Sequence, residues 1–305
     1  MDGPEFRDRT PRHSRSRTAW RIIRGLAAAA LIAGAAFLAA GFIYADPRFD
    51  GLFEVSRGPG PGQATAGQSG QPGQPAAVEA VRTDTPPPGV GEQDEPLGRP
   101  QKPAVASSSY RFLALNEDGT PVGYSPCRPL HYVVNAALAP EGAERLVEEA
   151  IGTISRATGI RFIDDGPTTE APSPSRVPYQ QDVYGDRWAP LLIAWTTPEQ
   201  APQLAGPVIG TGGSTHFSFG NGPKSFVTGS LELDAPQIGE DLSRTDGAAY
   251  ATAVILHELS HVMGLEHVDD PTQLMYPEIG TPDGLAAGDL NGLYELGSAQ
   301  CRKDL

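Results

Sequence analysis

Three histidines, at positions 257, 261 and 267, fall in the run HELSHVMGLEH. On a helix, residues four apart leave the same face, so His257 and His261 can offer two imidazole nitrogens to one ion. Gly264 lacks a Cβ and can take the left-handed conformation that ends a helix. The chain can then turn back and deliver His267 as a third nitrogen ligand. Three nitrogen ligands with a fourth position left to water mark a catalytic Zn²⁺ rather than a structural one. Glu258 adjoins the first ligand and is not needed to bind metal. It is placed to take a proton from that water as a general base. The expectation is one catalytic zinc and hydrolytic chemistry.

The run before these residues, Gly247 to Leu256 (GAAYATAVIL), is Ala-rich and apolar, as a helix buried in a domain centre should be. Soon after His267 comes Leu274-Met275-Tyr276-Pro277, and later Gly288-Asp289-Leu290-Asn291-Gly292-Leu293. With HELSHVMGLEH, these stretches resemble the metzincin zinc proteases and, within them, the matrixins, the matrix-metalloproteinase-like family. The resemblance covers about the last hundred residues well and reaches more loosely back to Pro129. It implies an α/β (α+β) metzincin fold: a twisted mixed sheet, a central zinc-binding helix, a Met-turn and a C-terminal helix. It implies that Met275 underlies the zinc ligands without binding metal. Tyr276 is not expected to be a ligand, because Pro277 stands where other metzincin branches carry a zinc-binding Tyr. The family also implies that substrate binds as an extended strand along a sheet edge, within Gln203 to His216 and just before the Gly-rich segment. Pro207 suits such an edge. Pro277 and Ile279 should form the outer wall of the pocket for the residue after the cut. With Ile279 in place of the family's usual Tyr, that pocket should favour an apolar residue.

The chain also departs from the family. Gly212-Gly213-Ser214-Thr215-His216-Phe217 resembles the segment whose histidine binds a second, structural zinc in matrixins. Here no H-x-D pair precedes it, and Gly206 stands where another ligand is expected, so His216 reads as a strand residue. Calcium is the other ion the resemblance raises, but this Gly-rich region offers few carboxylates for it. The cysteine-switch propeptide is absent. Gly288 replaces the first of two acids that open the matrixin C-terminal helix, and Asp289 keeps the second.

The N-terminal third reads differently. Residues 1–24 carry seven Arg against three acids, and residues 25–45 run without a charge, long enough to cross a bilayer as a helix. Arg before the span and Asp46 after it put the N-terminus inside and the rest outside. Two readings stand, an uncleaved single-pass anchor in the cell membrane or a secretory signal peptide whose cleavage would release the enzyme. The long apolar run favours the anchor. Residues 46–109 read as a disordered linker: between Ser56 and Ser109 lie 10 Pro and 9 Gly with few aromatics.

Residues 110–305 turn globular and suffice for one domain. Strands are expected at Pro129–Ala137, Gly159–Ile163, Leu191–Trp195 and Phe226–Leu233. Helices are expected at Pro140–Thr158, where Ala143, Leu146, Val147, Ala150, Ile151 and Ile154 recur at three- and four-residue steps, and at about Asp289–Leu296. Two cysteines, Cys127 and Cys301, bracket this region. In an exported domain they read as a disulfide of roughly 4–5 kcal/mol by chain entropy. The rival reading, Cys127 as an inhibitory zinc ligand, lacks the switch pattern around it. The net charge of −14 rises to −18 outside the basic tail, which argues against nucleic acid as a partner. The resulting expectation is a monomeric, membrane-tethered zinc endopeptidase acting on extracellular or cell-surface proteins or peptides. The alternatives are a catalytically weak zinc-binding interaction domain and a cell-wall peptide hydrolase.

Overall fold

The computed structural model describes residues 84–279 and 284–305. The basic tail, the apolar span at 25–45 and the first part of the linker lie outside the described residues. In chain order the elements are β1 (Arg111–Phe112), β2 (Leu130–Asn135), α1 (Ala143–Thr158), β3 (Phe162–Pro167), α2 (Gln181–Tyr184) and β4 (Leu191–Thr196). A 3₁₀ turn at Pro202–Leu204 follows, then β5 (Gly210–Phe217), β6 (Ser225–Asp234), α3 (Ala235–Leu242), α4 (Gly247–Met263), β7 (Leu265–Glu266) and α5 (Ala287–Gly297). Among the described residues no helix is long and apolar enough to cross a membrane.

The main sheet has five strands in the order β3-β2-β4-β6-β5. The first four are parallel, and β5 runs antiparallel to β6 at the edge. β4 (LLIAWT) is buried along its whole length, as a central parallel strand covered on both faces must be. α1 turns Leu146, Val147, Ala150, Ile151 and Ile154 into the core. It ends at Gly159, whose left-handed N–H donates to the Ser155 carbonyl at 2.8 Å. α4 is buried from Ala253 through Met263, so it runs through the middle of the domain rather than along its surface. The fold class is therefore the mixed α/β arrangement of sheet, central helix and C-terminal helix.

Two expectations need correction. The linker does not extend to Ser109. Residues 84–109 lie against the domain: Gly89 N–H donates to the Leu305 carbonyl (2.6 Å), Gln93 to Cys127 (2.7 Å), Leu97 to Pro126 (2.9 Å) and Gln101 to Arg156 (3.0 Å). The Glu92 carboxylate accepts from the Ser125 hydroxyl and from the Arg302 N–H. A Pro-rich chain forms few hydrogen bonds with itself, so most of its amides are free to bond a neighbouring surface. Composition records the first property and not the second. The edge strand is also misplaced: it is the Gly-rich segment itself, Gly210–Phe217, and Gln203 and Pro207 precede it. His216 lies in this strand, opposite Phe226.

Cys127 and Cys301 are joined by a disulfide with Cα atoms 5.3 Å apart across a sequence separation of 174. It fastens the start of β2 to the segment after α5.

Candidate active site

His257 and His261 sit one turn apart on α4, and both are buried. The helix stops at Gly264, which has φ 118° and whose N–H donates to the carbonyls of Ser260 and His261. A side chain there would be strained and would press on Phe226, the Val122 carbonyl and Leu296. The chain reverses through β7 and brings His267 Nε2 to 3.1 Å from both His257 Nε2 and His261 Nε2. Three nitrogens on a tetrahedral zinc, each at about 2.0–2.1 Å, would be roughly 3.3 Å apart. The two distances to His267 Nε2 are close to that spacing, and the three ligand atoms all lie within 4.8 Å of one another, so the cluster could hold such an ion.

Hydrogen bonds set which nitrogen faces the centre. His257 Nδ1 lies 2.7 Å from the Leu274 carbonyl and His261 Nδ1 2.7 Å from the Leu265 carbonyl. A carbonyl only accepts, so each Nδ1 carries the proton and each Nε2 keeps a free lone pair. The rings are also held neutral. Burial lowers His257 to about 4, with His267 adding to the effect, and lowers His261 well below its usual value. Burial also lowers His267, against the pull of Glu266. Neutral imidazole is the form that binds metal.

Met275 is buried in the core at 1% exposure, and its carbonyl accepts from Val268 N–H, next to His267, at 2.9 Å. Asp289 on α5 holds this turn: its carboxylate accepts from the N–H groups of Leu274 (2.8 Å), Met275 (3.2 Å) and Ala286 (2.8 Å). Because the Leu274 carbonyl supports His257, a chain of hydrogen bonds runs from α5 to the first histidine. Gly288 N–H donates to the Gln273 side chain at 2.7 Å, and a Cβ there would run into the Ser109 backbone. The position of the missing first acid is thus closed by the segment before β1.

Glu258 points away from the histidines' support and toward β5. Its carboxyl is buried, which raises its pKa to about 8, and a hydrogen bond from the Gly212 backbone opposes that rise. Gly212 can approach because it has no side chain: a Cβ would fall well inside contact distance of the Glu258 carbonyl. Strand β5 thus lies directly on the helix turn that carries Glu258, with β6 on one side. Of the two expected wall residues, Ile279 is half-buried against the core and Pro277 is exposed.

Sequence reasoning missed two contributions. Gly212 was noted only as part of a family-like run, and its contact with Glu258 has no local signal. Arg111 was not singled out, yet its guanidinium donates twice to the His267 carbonyl, from Nε at 2.9 Å and Nη2 at 2.6 Å. In the long connection before β4, Glu170 accepts from Arg176 (2.8 and 3.1 Å), Gln180 (3.0 Å) and Tyr184 (2.5 Å), so a charge network orders that loop.

Comparison with known proteins supports the resemblance. The model of the matrixin family, peptidase M10, matches residues 194–296, and over that stretch the chain is similar to the matrixins. The chain is 33% identical over 91 residues to the macrophage metalloelastase of Oryctolagus cuniculus, which covers 28% of this chain and 18% of that protein. It is 34% identical over 97 residues to the matrilysin of Felis catus, covering 30% of this chain and 34% of that protein. The chain thus spans well under two thirds of either relative. Among solved structures, high choriolytic enzyme 1, a hatching-enzyme zinc protease of Oryzias latipes, aligns at 13% identity with a TM-score of 0.30, over 65% of this chain and all of that one.

Proposed function

We propose that this chain is a zinc-dependent endopeptidase, with His257, His261 and His267 as the metal ligands and Glu258 as the general base. The observation that carries this reading is the convergence of three neutral imidazoles, with His267 Nε2 3.1 Å from the Nε2 atoms of both His257 and His261, beside a buried carboxyl. When bound, zinc supplies Lewis acidity, polarising a carbonyl and acidifying water. Glu258 takes a proton from water at its carboxylate and passes it to the leaving amine nitrogen. The Gly212 N–H orients that carboxylate. A peptide laid along the open side of β5 would pair its backbone with the strand and present its scissile bond to Glu258. Ile279 would line the pocket for the residue after the cut and favour an apolar side chain there.

In this reading residues 25–45 anchor the chain in the cell membrane, residues 46–83 form the tether, and the catalytic domain begins near residue 84 and faces outside. Its substrates are then extracellular or cell-surface proteins. The support is the basic tail, the uncharged span and the disulfide, which suits an oxidising space.

The test is cleavage of a peptide library by the purified chain before and after chelation, with zinc added back. Cleavage should stop on chelation and return with zinc. A chain that binds zinc and cleaves nothing would leave a metal-dependent binding domain as the better reading. Protease added to intact cells should release the catalytic domain, whereas free domain in the medium would show that the N-terminal segment is removed.

A further inference from the structure

The third histidine is held differently from the first two. His257 and His261 ride on a buried helix, and each donates an Nδ1 hydrogen to a backbone carbonyl. His267 lies beyond the helix end, and its Nδ1 is 3.9 Å from the Glu266 carboxylate. Its own side chain is 30% exposed. What fixes the turn from Gly264 to His267 is a segment more than 150 residues earlier. Leu113 N–H donates to the Gly264 carbonyl at 2.9 Å. β1 pairs antiparallel with β7, Phe112 opposite Leu265 and Arg111 opposite Glu266. At the end of this ladder the Arg111 guanidinium closes on the His267 carbonyl with two hydrogen bonds, while the Glu266 carboxylate accepts the His267 N–H at 2.8 Å. Two donors in a rigid fork on one carbonyl fix the plane of that peptide, and so the direction in which the His267 ring leaves the backbone.

We propose that Arg111 is a positioning residue for the third metal ligand and that it governs how firmly the chain holds its metal. The inference rests on the reading of the three histidines as the zinc site. Arg111 acts through the His267 carbonyl, and it lies outside the stretch that resembles the matrixins. Supports one step behind a metal ligand typically change affinity by roughly tenfold to a hundredfold when removed.

The experiment uses the full-length chain with Arg111→Ala and Arg111→Lys. Zinc affinity is measured by competition with a chromophoric chelator, and the visible spectrum is recorded after Co²⁺ substitution. The unfolding midpoint of the metal-free form is measured in parallel. Arg111→Ala should bind zinc about tenfold to a hundredfold more weakly and alter the Co²⁺ spectrum, with the metal-free midpoint unchanged. Arg111→Lys should recover part of the affinity, because its ammonium is a single point donor rather than a fork. Wild-type affinity in Arg111→Ala overturns the proposal. So does a loss of affinity matched by a fall in metal-free stability that lysine does not repair, which would make Arg111 a general part of the fold. A wild-type chain that binds no zinc overturns the metal-site reading and this inference with it, a result separate from either of the others.

Discussion

Glu258 combines two demands that conflict in water and agree in this interior. It must be basic enough to take a proton and must still stand close to a metal. Burial favours the protonated carboxyl, a neighbouring cation would favour the carboxylate, and the Gly212 N–H aims the group. Replacing it by Ala removes the proton carrier and leaves the three imidazoles untouched. Glu258→Ala should therefore retain zinc and lose roughly a hundredfold to ten-thousandfold in kcat. Metal analysis beside steady-state kinetics checks both halves, and retained turnover would end the assignment of Glu258 as base. At this scale the sequence is readable where chemistry is local. The spacing of His257, His261 and His267 names a ligand set because helix geometry links the first two and Gly264 turns the chain for the third. Arg111 is invisible in the same string, because its partner, the His267 carbonyl, is a backbone atom far along the chain. A hydrogen bond to a backbone atom places no demand on residue type.

The elements that matter most are β5 and α4, which meet at Gly212 and Glu258. The closeness of the strand to the helix is what would bring a strand-paired peptide to the base. Gly212→Ala should push them apart and cost about 3 kcal/mol, the upper end of overpacking penalties, with activity lost in whatever fraction still folds. Denaturant unfolding and peptide cleavage of the same sample measure the two effects. A variant of wild-type stability and activity would show that the approach is not required. Element positions were legible in the sequence wherever one period dominated. The apolar steps of α1 and the continuous apolar run of β4 each announce themselves. The Gly-rich edge strand does not, since glycine lowers strand propensity and its reason here is contact with a helix. The segment 84–109 fails for a related reason: composition shows that it cannot build a core, not that it has a domain to lie on.

For the molecule as a whole, the Cys127–Cys301 link closes most of the globular chain into one loop. Chain entropy assigns such a loop about 4–5 kcal/mol. The double variant Cys127→Ser with Cys301→Ser should lose a comparable amount in denaturant unfolding relative to the oxidised wild type. A loss well under 1 kcal/mol would show that neighbouring contacts, such as Glu92 with Arg302 and Gly89 with Leu305, hold the ends without it. The pairing of two cysteines was readable from their number and setting, while the strap that passes beside them was not.

That same closure has a bearing on the order in which the molecule can be made. Gly89 and Cys127 are synthesised well before their partners Leu305 and Cys301. The histidine turn likewise sits against Arg111–Leu113, which must wait for it while the chain between them is made. None of these contacts can form until both of its partners have been synthesised. A histidine site completed this way is assembled late: its third member gains its support only after the segment that provides it has long been made.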